Sequence, residues 1–564
     1  MIRNFFVGNI GDIITENENQ PIKTINYKDP IEYIESFGDE YNLLKNPHAN
    51  FAYKLSIINN NKKRQTLKNY PLSLRQLNDF TIIYENNNYF KTNLLLIKTA
   101  SLPSLLITKS NKNKVYNIYN SFFKKRILKE EKIDYSPYYQ NQNKVFLTDI
   151  SGYKYDDKFF CKVDSEKEVN IYYIKSFSAD NELEENKYLE TIDKCVELFD
   201  SNTYSIIVIN RISGGENLFI SHYLLELISP LITVNFYGAY RKTESLFNLK
   251  ESTINQDSSI KDCSYINKNY LKSKTKTIDY GNGIIDKLTQ PFIVKGFYTR
   301  KKISIIKEKL KNKRKPTEIL VYTDGYSFSA AGAFMKYLQY NGGAITAGYF
   351  SHPLKSNIPF DSGSNPSILF SAENLKDMVT DYGKNVYKEI KFKLPVGQLF
   401  YNSSLALPLE YDINTVDEMV NIYEVDENNL TNFIVNGKEI LEKYKNSCIK
   451  NNKKILLASN ECDGQFGNIN THGGFICGDN GQWSKTCKAL YCDKGYIFDE
   501  EKNECVIDIC YVYDVSKKEK KSKNIGLILF IVIICLLVLI AIVLLIIRIL
   551  GRLSERFKTP YNSI

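Results

Sequence analysis

The chain has 564 residues, with 74 lysines and arginines against 64 aspartates and glutamates, a net charge of +10, and 43% apolar residues. That length calls for more than one hydrophobic core, about three units, and the composition is that of a globular protein. The basic residues are spread along the chain, and no zinc-finger, RNP, helix-turn-helix, Walker or Rossmann pattern occurs, so nucleic-acid and nucleotide binding are not expected. Residues 1–60 read as a mostly helical lead-in that carries His48, one of four histidines. Residues 65–175 alternate short β-type runs, such as Phe80 to Tyr84 and Asn93 to Ile97, with polar turns. Tyr204 to Asn210 is a short β-branched run that predicts a buried strand. Arg211 to Gly215 then predicts a turn, and Leu218, Tyr223, Leu224, Leu227 and Ile228 have helical spacing. The polar stretch from Gln256 to Lys276 predicts a loop. From Glu318 to Phe350 the pattern predicts strand (Ile319 to Thr323), tight turn, helix, glycine turn and a second strand ending at Gly348.

A serine at that first turn would lie at a helix N-terminus, where unpaired N–H groups and the helix dipole favour negative charge. Such a place suits a nucleophile and the oxyanion it creates. The same serine could equally be a helix cap. The segment Asp324, Ser327-Phe328-Ser329-Ala330 and Gly348 resembles the nucleophile segment of the S41 serine peptidases, the tail-specific or C-terminal-processing protease family. The second serine of the pair is the family nucleophile, so the resemblance implies Ser329 for this role. Two further segments resemble the family in the same order. Leu43 to Phe51, with Pro47-His48-Ala49-Asn50-Phe51, is similar to the segment that carries the general base of the Ser/His/Glu branch, which implies His48. The strand, Gly214-Gly215 turn and following helix are similar to the unit whose backbone N–H groups help build the oxyanion hole, together with the N–H of Ala330. Leu407-Pro408-Leu409-Glu410-Tyr411 resembles the segment after the nucleophile domain in eukaryotic members, which implies Glu410 as the group that orients the imidazole. An alternative base is Lys355, near the spacing of the lysine in bacterial Ser/Lys members. The sequence departs from the family pattern at Asn46 and Asn210, where aspartates are usual, and in the shorter glycine run.

Seven of eleven cysteines, Cys448, Cys462, Cys477, Cys487, Cys492, Cys505 and Cys510, fall in a short polar stretch. Little apolar material is available there, so disulfides are the expected staple, with the odd thiol free or paired to Cys161, Cys195 or Cys263. Paired C-x-x-C ligands are missing, so no metal is expected, nor any cofactor. Two sequons place glycosylation candidates at Asn402 and Asn429. Residues 525–547 form an uncharged apolar run long enough to span a bilayer as a helix, with basic residues on both sides that leave orientation undecided. Met1 to Asp12 has no sustained apolar run, so the natural start is expected upstream of Met1; a tail anchor with the cysteines in the cytosol is the alternative.

The expected fold class is α/β. Residues 180–440 form an S41-type protease core of strand-turn-helix units, and 65–175 a β-rich module for which the resemblance offers a PDZ-like fold. A Cys-rich stalk covers 445–512, one transmembrane helix 525–547, and a short tail 548–564. The function this implies is that of a membrane-anchored serine peptidase with its large domain extracellular or lumenal and its short tail cytoplasmic. Its partners would be a peptide or protein substrate and the lipid bilayer. The alternative is a catalytically inactive, protease-like surface receptor or adhesion protein. Substrate and oligomeric state are not legible in the sequence.

Overall fold

A computed structural model of the chain describes residues 22–36, 46–59, 80–92, 152–179, 181–242, 257–294, 303–371, 393–446, 466–508 and 533–550, with short breaks inside these ranges. Its centre is a seven-stranded mixed sheet. In chain order its strands are β4 (Gly152–Tyr155), β5 (Phe159–Asp164), β6 (Val169–Ser176), β7 (Ser205–Gly214), β13 (Ile319–Thr323), β14 (Ile345–Gly348) and β17 (Glu418–Met419). They lie in the spatial order β17-β14-β13-β7-β6-β5-β4. The five strands from β6 to β17 are parallel; β4 and β5 are antiparallel additions at one edge.

The alternation of side chains explains why this sheet is covered on both faces. Tyr172, Ile174, Ile206, Val208, Ile319 and Val321 join one core, and Ile171, Tyr173, Ile207, Ile209, Leu320 and Tyr322 join the other. Three helices bring the apolar partners of the first core: α3 (Glu182–Asp200), α4 (Leu218–Ile228) and α6 (Ala330–Tyr340). The second core is closed by α1 (Pro30–Ser36), α2 (Pro47–Asn59) and α7 (Thr431–Asn446). The result is a three-layer α/β sandwich. Helix starts follow local chemistry. Asn181 caps α3 by accepting from Glu184 N–H, and Glu182, Glu184 and Glu185 place negative charge on its first turn. Asn217 caps α4 through Phe219 and Ile220 N–H.

A second, antiparallel sheet packs beside the first core. Its order is β15 (Ser367–Ser371), β16 (Lys393–Phe400), β8 (Tyr237–Tyr240), β12 (Phe292–Ile293) and β9 (Ser258–Ser259). Three strands near the start, β1 (Ile22–Ile25), β2 (Phe80–Tyr84) and β3 (Tyr89–Thr92), form a small antiparallel sheet. Two hairpins, β18 (Thr471–Gly474) with β19 (Lys488–Cys492) and β20 (Tyr496–Asp499) with β21 (Glu504–Ile507), lie in the described part of the Cys-rich region. β10 (Lys276–Asp279) and β11 (Ile285–Leu288) form one more hairpin, and Lys268–Lys272 is a short helix, α5.

Several sequence expectations need correction. Residues 152–175, assigned to a separate β module, belong to the central sheet: β6 is buried from Val169 through Ile174, which suits a strand covered on both faces and not a half-exposed one. The boundary at residue 60 does not separate two units, since Ile22–Ile25, inside the mostly helical lead-in, pairs antiparallel with β2 beyond it. The turn expected at Arg211 is delayed: β7 runs on to Gly214, which pairs with Ser176 after an irregularity in register. The stretch 256–276 is not plain loop, because β9 and α5 lie in it.

Cys161 and Cys195 are bonded to each other, joining β5 to α3, so neither is a partner for the stalk. In the stalk Cys492 is bonded to Cys505, and Cys477 and Cys487 are also disulfide-bonded. Cys263, Cys448, Cys462 and Cys510 lie outside the described residues. Among the described residues no helix is long and apolar enough to cross a membrane. The expected span 525–547 is described only in part: 533–534 and 536–550 are helical with apolar side chains exposed, while 525–532, 535 and the tail beyond 550 lie outside the described residues.

Candidate active site

The parallel strands are in register toward their carboxyl ends. Ile174 aligns with Asn210, Asn210 with Thr323, Thr323 with Gly348, and Gly348 with Met419. The glycine turn after β7 and the serine turn after β13 leave the sheet from this one edge, the carboxyl edge, where ligands of open α/β sheets bind.

From β13 the chain turns at Asp324 and Gly325 (φ 72°) and enters α6 through Ser329. The close approach here requires glycine, since a Cβ on Gly325 would lie 2.9 Å from the Phe360 ring and its φ is left-handed. The two serines of the turn have different surroundings. Ser327 is buried and committed: its Oγ accepts from Asn210 Nδ2 at 2.7 Å, and its carbonyl accepts from Ser364 N–H at 2.6 Å. Ser329 has φ 56° and ψ −121°, a strained conformation for a residue with a side chain, and its side chain makes no capping bond. Its hydroxyl has no hydrogen-bond partner among the described residues. A serine that heads a helix from a strained strand-to-helix turn is the geometry of a nucleophile elbow.

The glycine turn after β7 is brought to the same place. The Phe328 ring lies 3.1 Å from the Cβ position of Gly214. Gly215 has φ 120°, and a Cβ there would meet the Phe177 backbone at 2.6 to 2.8 Å, so only glycine fits. Ala330 N–H, the expected oxyanion donor, donates to Gly215 O at 3.3 Å. The glycine turn and the head of α6 therefore touch, with that N–H occupied by a carbonyl.

Helix α2 docks on this turn from the other side. Tyr53 stacks on Tyr326 with centroids 4.7 Å apart and planes within 3°. His48 stacks on Phe360 at 5.0 Å, and Phe360 in turn packs against the Cβ positions of Gly325 and Gly348. His48 is buried, and both ring nitrogens are engaged. Nδ1 accepts from His352 N–H at 2.9 Å, and Nε2 lies 2.9 Å from Ile358 O. An acceptor Nδ1 puts the neutral ring's proton on Nε2, which donates to that carbonyl. Burial holds the His48 pKa below its ordinary value, with the Ile358 contact opposing that shift and the nearby His352 and Lys355 adding to it. Asn46, where the family pattern has aspartate, accepts from the N–H groups of His48 and Ala49 and caps α2.

Glu410 is not brought to His48. It sits in a single 3₁₀ turn, Leu409–Tyr411, with Oε1 3.3 Å from Arg241 Nη2 and 3.4 Å from Gln398 Nε2. Lys355 is 40% exposed at its side chain and bonded to Glu35 at 2.5 Å, so it lacks the desolvation that makes a lysine a base. The two sequon asparagines, Asn402 and Asn429, are both exposed. Among the described residues no group of three or more His, Cys, Asp or Glu is placed to hold a metal ion.

Sequence reasoning passed over several groups. Glu35 bonds both His352 Nε2 (2.8 Å) and Lys355 Nζ. Lys336, on α6 and 1% exposed, donates to Asp361 Oδ2 (3.2 Å), Leu409 O (2.9 Å) and Asp412 O. A lysine within the apolar spacing of α6 was the one local signal for the second cluster; Glu35, about 320 residues from its partners, had none.

No protein-family model matches the chain, and no curated protein matches it. Solved structures with some similarity include mature CPAF complexed with lactacystin, at 13% identity over 75% of this chain and 76% of that one, TM-score 0.36. Mature CPAF alone matches at 11% identity over 75% and 77%, TM-score 0.35. A putative peptidase from Parabacteroides merdae ATCC 43184 matches at 13% identity over 54% and 70%, TM-score 0.27. At those scores the backbones diverge too far for the likeness to carry an argument about this chain's chemistry.

Proposed function

We propose that the chain is a serine peptidase of S41 type that cleaves peptide bonds through an acyl-enzyme on Ser329. The observation that carries this reading is the conformation of Ser329: left-handed φ, unbonded hydroxyl, and a place at the head of a helix on the carboxyl edge of a parallel sheet. In the reaction His48 takes the Ser329 proton and Oγ attacks the scissile carbonyl carbon. The oxyanion is met by backbone N–H near Gly214-Gly215 and by that of Ala330 once it leaves Gly215 O; Glu410, held by Arg241, takes no part in this arrangement. His48 must first give up its bonds to His352 and Ile358.

We place the protein in a membrane by the apolar run 525–547, with its large domain on the extracellular or lumenal side. The Cys161–Cys195 bond inside the sandwich favours that side, since such bonds persist in oxidising compartments. A fluorophosphonate probe tests the chemistry: it should label the full chain at Ser329, and Ser329→Ala should abolish labelling and peptide hydrolysis. Labelling at another serine, or none from the full chain in any form, would sink the reading.

A second reading is favoured by the occupied groups. With both His48 nitrogens, Ala330 N–H and Glu410 engaged elsewhere, the domain would be an inactive protease-like surface receptor. It predicts peptide binding without labelling.

A further inference from the structure

Between β14 and β15 the chain returns over the His48 helix, and its contacts there are specific. Phe350, just past β14, has a left-handed φ of 58° that turns the chain back across the edge. His352 then donates its backbone N–H to His48 Nδ1, and Ile358 O accepts from His48 Nε2. Asn46 Nδ2 donates to Pro359 O at 2.8 Å. Glu35, on α1, holds the far end through His352 Nε2 and Lys355 Nζ. Five separate bonds thus fasten residues 352–359 to α1, α2 and the Asn46 cap, and two of them close on the imidazole itself.

We infer that residues 352–359 form a latch that keeps His48 out of service, and that Asn46 and Glu35 fasten it. The consequence for catalysis rests on the peptidase reading; the latch itself does not. A base must present an unprotonated nitrogen, and here one nitrogen carries the proton while the other faces a backbone donor. Asn46 is particular in this. As a cap for α2 aspartate would serve equally well, but aspartate has no hydrogen to give Pro359 O. The amide therefore adds the latch bond to a position whose other duty any carboxylate could perform. Glu35 acts on the other end as a shared acceptor for two cationic or donor groups, and without it His352 and Lys355 face each other unbridged.

The four histidines give a direct readout. Diethyl pyrocarbonate modifies unprotonated imidazole nitrogens, and the modified sites can be mapped by mass spectrometry on the full-length protein in detergent micelles. In the wild type His48 should react far more slowly than the partly exposed His472. Asn46→Asp, which keeps the helix cap, and Glu35→Gln should each speed His48 modification roughly tenfold, the factor carried by one lost hydrogen bond of ordinary net strength. His222, buried against Val234 O far along the chain, should stay protected and so report that the fold is intact. Unchanged protection of His48 in both variants would overturn the latch, as would modification of His222 in step with His48, which would mean global loosening. Fluorophosphonate labelling of the same samples separates the two claims. Faster Ser329 labelling in both variants supports latch and peptidase together. Faster His48 modification with no labelling at Ser329 supports the latch and removes the peptidase.

Discussion

Lys336 offers the sharpest test of how the site is held together. Lys336 is 1% exposed on α6, and its ammonium donates to the Asp361 carboxylate and to the carbonyls of Leu409 and Asp412. Those carbonyls bracket Glu410, so one side chain ties α6 to the turn that carries the candidate acid. Lys336→Met keeps the length of the side chain and removes the charge. Asp361 would then be a buried carboxylate without its cation, a loss of about 3–5 kcal/mol. Burial already raises the Asp361 pKa against the opposing pull of Lys336, so its charge is poorly tolerated even when paired. In hydrogen–deuterium exchange of peptides covering 330–340, that loss corresponds to acceleration by about two to three and a half orders of magnitude. The double variant Lys336→Met/Asp361→Asn should recover a large part, because no charge remains to bury. A raised folded-state pKa means that the folded chain binds more protons than the unfolded one between the two values. The single variant should therefore exchange more slowly as pH falls toward the raised value. Exchange in the single variant that matches wild type, or a double variant no better than the single, would refute the account.

Three other outcomes follow from the geometry. Because burial depresses the His48 pKa, the unfolded chain binds more protons below about 6.5, so acid destabilises the fold at this position; the acid limb of peptide hydrolysis should fall below the ordinary imidazole value, and a limb above it would contradict the buried placement. Cys161→Ser with Cys195→Ser opens a loop with a sequence separation of 34 and should cost up to about 4 kcal/mol by chain entropy, read as a lower urea midpoint; non-reducing mass mapping that found these two thiols free in the native protein would remove the constraint itself. If 525–547 spans a bilayer, the full chain should stay with membranes through high-salt and alkaline washing, and its recovery in the supernatant would end the anchoring proposal.

How much was legible depended on whether the signal was local. The strand Ile319–Thr323, the helix from Ala330 and the strand ending at Gly348 follow from apolar spacing and glycine placement within thirty residues, and they stand as read. Strand β2 does too, at Phe80–Tyr84. The assignment of 152–175 to a separate module failed because no feature of a strand states which sheet it joins; only the burial of both faces of β6 does. The site divided in the same way. Ser329 and the glycine turn meet because adjacent parallel strands deliver them to one edge, which strand order alone could anticipate. The partners of His48 and Glu410 depend on long returns of the chain, 310 residues to Ile358 for the first and 169 to Arg241 for the second, and no periodicity encodes those.

Every residue of α4 from Leu218 to Ile228 is buried. A helix without an outer face has nowhere to put an added charge, and an inserted residue would rotate its apolar surface out of every neighbour at once. Change in this part of the molecule is therefore confined to the two ends of the helix. One of those ends is the Gly214-Gly215 turn. The rigidity of the layer beneath leaves the Gly214-Gly215 turn as the place where length and sequence can change at little cost to the core.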